Sequence, residues 1–150
     1  KESGLGGVSD ADLARWQREN GIEYLGETRD VRPYVAACHV LVLPSWREGT
    51  PTCVMEAMSM GRPAVVTDVP GCREVVRDGE NGRMCPARDP GALARAMEHF
   101  LEHPEDIARM GAKGRILAEN EFDAEKVAGR ILADMRVPCP APADTTEQGD

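Results

Sequence analysis

The apolar positions of this chain alternate between two rhythms. Short continuous runs, "VLVLP" at 40–44 and "AVVTD" at 64–68, predict strands covered on both faces, as parallel strands are. Two more strands are predicted at 22–25 ("IEYL") and 82–86 ("GRMCP"). Helical stretches lie between them. Ser9 to Asn20 reads as a helix, with Ser9 as N-cap and Gly21 just past its end. Asp30 to Cys38 reads as a short helix with Pro33 in its first turn. A helix from about Pro51 to Met60 stops at Gly61, and Pro63 blocks any continuation. A short helical "CREVV" and the turn "DGENG" lead to the last strand; from Asp89 the spacing turns helical over 89–102, 105–120 and 123–135. Strands and helices alternating at this interval predict an α/β fold, a Rossmann-like doubly wound parallel sheet followed by C-terminal helices. Four strands make a small sheet of this kind, so the chain reads as a fragment whose first strands lie upstream.

Composition narrows the picture. Of the 150 residues 41% are apolar, enough to fill the core of one compact domain over 1–137. Residues 138–150 are poor in apolar side chains and predict a disordered tail. The net charge of −8, with no basic run, argues against a nucleic-acid partner, which needs a clustered basic face. No apolar stretch reaches the roughly 20 residues that span a bilayer, and no signal peptide opens the chain. The five cysteines are odd in number and lack CxxC spacing, which reads as a reduced, cytoplasmic protein. His99 and His103 have a metal-ligand spacing, but no nearby Cys or further His completes a site. Arg29, Arg32 and Arg47 near strand ends are open to a diphosphate, to membrane lipid or simply to solvent.

The chemistry concentrates in "PSWREGTPTCVMEAMSMGRPAVVTD", residues 44–68. Open α/β sheets bind ligands at the carboxyl ends of their strands, which places the loop Ser45–Pro51 at the binding edge. Gly49 lets backbone approach a ligand closely, Thr50 is a candidate N-cap, and Pro51 suits a first helical position. The free donors of that helix start are then the N–H groups of Thr52, Cys53 and, in part, Val54, which suit a phosphate. An ordinary capped helix would read the same way. A helix start can lower a thiol pKa, but with no partner His in view Cys53 reads as a donor of backbone N–H only. Glu56 lies in an otherwise almost wholly apolar helix, where a carboxylate buried without partners costs several kcal/mol. A ribose diol would match its two oxygens, and a salt bridge to Arg62 or Arg73 is the structural alternative. Glu48 precedes it by eight residues. Glu19 and Glu27 share that spacing, so it is the helix start between Glu48 and Glu56 that sets the pair apart.

"LPSWREGTP…MEAMSMGRPAVVTDVPGCREVVRDGENG", preceded by "YLGETRDVRPYVAACHVLVLPS", resembles the nucleotide-binding half of the family 4 glycosyltransferases, retaining enzymes of the GT-B fold. The match covers roughly 22–137 and is especially similar to enzymes that build bacterial surface polysaccharides on lipid carriers. The resemblance implies that Glu48 contacts hydroxyls of the donor sugar and Glu56 binds the ribose diol. It implies that backbone N–H groups of Gly49, Thr50, Thr52 and Cys53 hold sugar and diphosphate, and that Gly26, Glu27 and Thr28 border the base. The donor would be a UDP- or GDP-sugar, with no metal or other cofactor. The acceptor would be a lipid-linked or other saccharide, reached through an N-terminal domain absent from this chain. A hexosyl- or N-acetylhexosaminyltransferase acting in the cytoplasm, at the inner face of the membrane, is the enzyme implied. The family's Arg and Lys that neutralise the leaving diphosphate lie upstream of the matching part, so residues 1–150 are expected to bind donor weakly and to be inactive alone. A non-catalytic nucleotide-binding module and a GT-B sugar-nucleotide epimerase are the competing readings.

Overall fold

The computed structural model describes residues 8–135. These divide into two compact units between Val31 and Arg32. The predicted tail at 138–150 lies outside the described residues.

The first unit holds α1 (Asp10–Asn20). Its start and stop are those the sequence predicts. The Ser9 side chain accepts the Asp12 N–H at 3.1 Å, and Gly21 closes the helix in the left-handed region. No residue of α1 is buried. The strand predicted at 22–25 does not form; these residues belong to no ladder, and Ile22, Tyr24 and Leu25 are each about half exposed. An apolar, aromatic run favours extended backbone, but a strand exists only through its partner, and the described residues of this unit contain no other strand.

The second unit carries α2 (Arg32–Ala37), β1 (Leu41–Leu43), α3 (Thr52–Ser59), β2 (Ala64–Thr67), α4 (Pro70–Val75), β3 (Gly82–Cys85), α5 (Pro90–Glu102), α6 (Glu105–Glu121) and α7 (Ala124–Asp134). The strands run parallel in the order β1-β2-β3, with Leu41 opposite Ala64 and Thr67 opposite Cys85. The fold is α/β with a parallel sheet, as predicted, but with three strands among the described residues rather than four.

β2 shows why its run is unbroken by polar residues: all four positions are buried. Ala64 and Val66 face one way, against Val54 and Met58 of α3, Cys72 and Val75 of α4 and Ala118 of α6. Val65 faces the other way, against Ala92, Ala96 and Phe100 of α5 and Met110 of α6. Helices thus cover both faces, and each fully buried valine contributes about 1.5–3 kcal/mol.

The turn from α3 to β2 is equally determined. The Arg62 N–H donates to Ala57 O and the Gly61 N–H to Met58 O, both at 2.9 Å, with Gly61 at φ 69°. This is the Schellman closure that glycine permits at low cost. The Arg62 side chain then donates to Val35 O and Ala36 O, tying the turn to the end of α2. Because all three strands point the same way, Pro44, Asp68 and Pro86 leave the sheet at one edge. No helix of the described residues is long and apolar enough to cross a membrane.

Candidate functional site

The loop leaving β1 and the first turn of α3 form the centre of that edge. The Thr67 hydroxyl, at the end of β2, donates to Ser45 O and holds the start of the loop. The helix begins one residue later than the sequence suggests. Pro51, extended at φ −72° and ψ 104°, occupies the N-cap position, and no side chain caps the helix. Thr50 is therefore not the cap: it lies exposed, one residue outside. Pro51 O accepts the N–H groups of Val54 (3.1 Å) and Met55 (3.3 Å), so Val54 is no longer a free donor. Thr52 and Cys53 donate to no backbone carbonyl and remain as the open N–H groups of the helix start.

Glu56 stands one turn further on. It is exposed, on a polar stripe with Thr52 and Ser59, and not buried as its apolar neighbours suggest. The salt-bridge alternative fails on geometry. Arg62 is spent on Val35 O and Ala36 O, and Arg73 Nε lies 2.5 Å from Asp68 Oδ1. Among the described residues Glu56 has no ion-pair partner.

Glu48 is half-buried, and its charge reaches the sulfur of Cys53. The Cys53 thiol is pushed up from its ordinary value, first by burial and then by the Glu48 charge, with Glu56 a smaller contributor. The nearby amides of Val54 and Cys53 only partly offset this. The net rise is the effect of burial, which outweighs the amides of the helix start. Buried Cys72 is raised in the same way, by burial first and Glu48 second. Glu48 and Glu56 therefore flank the opening of α3, with Cys53 between them in electrostatic reach of both.

In its own unit, Gly26 takes a left-handed φ of 77°. Glu27 is exposed, and the Thr28 hydroxyl accepts the Asp30 N–H at 3.1 Å while donating to Asp30 O at 2.9 Å. These bonds shape a turn in which Gly26, Glu27 and Thr28 are consecutive.

The two histidines are engaged in packing α5 on α6. His99 Nε2 lies 2.8 Å from Asp106 Oδ2, and His103 Nδ1 lies 3.4 Å from Glu105. Arg109 first, and His99 second, hold the Asp106 carboxyl below the usual range. Among the described residues no cluster of three or more His, Cys, Asp or Glu is placed to hold a metal.

A feature the sequence did not disclose adjoins this loop. A cavity of about 520 Å³ opens at the strand ends, lined by Pro44, Trp46, Thr67, Pro86, Arg88 and Leu93 among others. The Arg88 guanidinium lies over the Trp46 ring, 5.1 Å from its centroid, and Arg88 itself adopts φ 64°. Only the exposed tryptophan in "PSWREG" hinted at it.

The family model described as "Glycosyl transferases group 1" matches residues 4–103. The lipopolysaccharide core biosynthesis glycosyltransferase LpsE of Rhizobium meliloti is 30% identical over 111 residues, covering 74% of this chain and 33% of LpsE. Sucrose-phosphate synthase from Thermosynechococcus elongatus superposes with a TM-score of 0.75 at 27% identity, over 83% of this chain and 32% of that one. Anabaena HepE, solved in complex with UDP, superposes with a TM-score of 0.77 at 24% identity, over 84% of this chain and 35% of that one. The chain spans about a fifth to a third of the length of the curated relatives it matches. A parallel sheet with helices on both faces, two carboxylates around an open helix start, and this family match lead to one assignment: the chain belongs to the group 1 glycosyltransferases.

Proposed function

We propose that this chain supplies the donor-binding half of a retaining glycosyltransferase. The enzyme would move a hexosyl or N-acetylhexosaminyl group from a UDP- or GDP-sugar to a lipid-linked or similar saccharide. The observation that carries the reading is the pair of carboxylates, Glu48 and Glu56, on either side of the unpaired Thr52 and Cys53 N–H groups. Glu56, exposed and without an ion-pair partner, is free to accept both hydroxyls of a ribose. The open N–H groups of α3 face the diphosphate, joined by those of Gly49 and Thr50 in the loop. Glu48, on the approach to the helix, meets hydroxyls of the sugar. HepE's complex with UDP supports a nucleotide-sugar donor, and LpsE's role in lipopolysaccharide core synthesis supports a surface-glycan product. In this reading the transfer takes place at the cytoplasmic face of the membrane.

Departure of a diphosphate needs fixed donors and positive charge where negative charge develops. α3 supplies donors; in this reading an Arg–Lys pair and the acceptor site come from outside residues 1–150, and no metal takes part. The chain alone then binds donor at about 0.1–1 mM, near −5 kcal/mol, and transfers nothing. Amide NMR titrations with UDP, GDP and ADP, each with and without EDTA, test this. Shifts centred on 48–56 that survive EDTA are the expected result. Shifts confined elsewhere, or dependent on a divalent cation, overturn it.

A further inference from the structure

Gly71, the second residue of α4, is buried beneath the Glu48 loop. A Cβ built there would stand 1.4 Å from Gly49 O, 2.4 Å from Gly49 C and 2.6 Å from Glu48 O. The backbone of Gly71 does not itself require glycine, since its φ is outside the left-handed region. Alanine also favours a helix over glycine. Close approach of the Glu48–Gly49 peptide is therefore what excludes a side chain. The same loop has a second anchor on the same segment: Thr67, 4% exposed, donates its hydroxyl to Ser45 O. The two anchors bracket the short β2–α4 connection, Thr67 ending the strand and Gly71 standing in the first turn of the helix. Among the described residues the loop's own side chains add the bond from Ser45 Oγ to Arg47 O and the contact of the Trp46 ring with Arg88.

We infer that Thr67 and Gly71 form a seat that positions Glu48, and so govern how strongly the site favours a nucleotide carrying a sugar over the bare nucleoside diphosphate. The inference rests on the reading of Glu48 as a sugar ligand. Neither residue touches the donor in this account; both act through the loop. Ordinary contact with a Cβ begins near 3.4 Å, so an alanine at 71 forces the Glu48–Gly49 peptide back by about 2 Å. Gly49 and Thr50 are exposed, which leaves the loop room to lift outward. A hydrogen bond made at 2.7–2.9 Å does not survive such a displacement. Glu56 sits inside α3 and keeps its place, so nucleotide recognition through the ribose is retained.

The test is a double-mutant cycle on this chain. NMR-detected affinities for UDP, UDP-glucose, GDP and GDP-mannose are measured for wild type, Gly71→Ala, Thr67→Val, Glu48→Gln and the two doubles with Glu48→Gln. The readout is the ratio of nucleotide-sugar to nucleoside-diphosphate affinity. Gly71→Ala is expected to lower that ratio at least tenfold, and Thr67→Val at least threefold. In the doubles the losses should not multiply, because both variants act through Glu48. A ratio lost in Glu48→Gln but kept in Gly71→Ala and Thr67→Val overturns the seat and leaves the reading of Glu48 standing. A wild type with no preference for any sugar nucleotide overturns both. If Gly71→Ala does not fold, Thr67→Val decides alone, since valine keeps the buried shape and deletes only the hydroxyl.

Discussion

Replacing Glu56 by glutamine keeps the length and shape of the side chain and removes its charge. The structure sets two magnitudes for that change. On the folding side, Glu56 is exposed and has no ion-pair partner among the described residues, so stability should move by less than about 0.5 kcal/mol. On the binding side, a carboxylate facing a ribose diol accepts two charge-assisted hydrogen bonds. Glutamine keeps one acceptor oxygen and turns an amide donor toward the other hydroxyl. The loss is about one charged bond, roughly 1.5–3 kcal/mol, or about 10- to 150-fold in affinity. Inorganic pyrophosphate, which has no ribose, should bind the variant as it binds the wild type. Parallel NMR titrations with UDP and pyrophosphate, with a urea melt of each protein, read all three quantities. Equal losses for the two ligands would refute the reasoning, and so would a loss of stability above 1 kcal/mol. Either result would mean that Glu56 is a structural carboxylate after all.

Two further expectations follow from buried and half-buried groups. Asn81, 2% exposed, accepts the Arg77 N–H at 2.7 Å and donates to Val75 O at 2.9 Å. Asn81→Ala strands both backbone groups and should cost about 2–5 kcal/mol by urea denaturation; a change under 1 kcal/mol would contradict this. Cys53 should alkylate late in a pH series, because a raised pKa delays the thiolate to higher pH. Site-resolved mass spectrometry with iodoacetamide should also find the profile shifted downward in Glu48→Gln, and a wild-type midpoint below 8.5 would contradict the assignment.

What the chain discloses on paper depends on how local the cause is. The helices from Pro90 and Ala124 were legible from their apolar spacing, and in the structure Asp89 caps one through the Ala92 N–H and Asp123 the other through the Lys126 N–H. "AVVT" was legible as a strand because burial on both faces forbids polar residues. "IEYL" was not, since extended propensity cannot name a partner. Thr52, Glu56 and Ser59 share one helical face, but the sequence does not say whether another element covers it, so the apolar setting of Glu56 suggested burial. Thr50 was misread because proline is at home both in the first helical turn and just before it. Gly71 and Arg88 escaped altogether. The pressure on each comes from residues more than twenty positions away, the Gly49 carbonyl and the Trp46 ring.

The uniform direction of the three strands gives the second unit two unlike rims. On the rim where strands begin, carbonyls are tied down by guanidinium groups: Arg62 to Val35 O and Ala36 O, Arg115 to Ser59 O, and Arg109 to Gly79 O. On the rim where strands end, Gly49 and Thr50 lie open, held from below by one hydroxyl and one missing side chain. For protein engineering this amounts to a division of labour. A graft meant to alter which sugar is accepted belongs between Ser45 and Thr50, where the backbone has slack on its outer side. An affinity tag, a fluorophore or a split point placed among the turns at 60–63 or 76–81 would instead loosen the guanidinium clasps that keep the sheet and its helices in register.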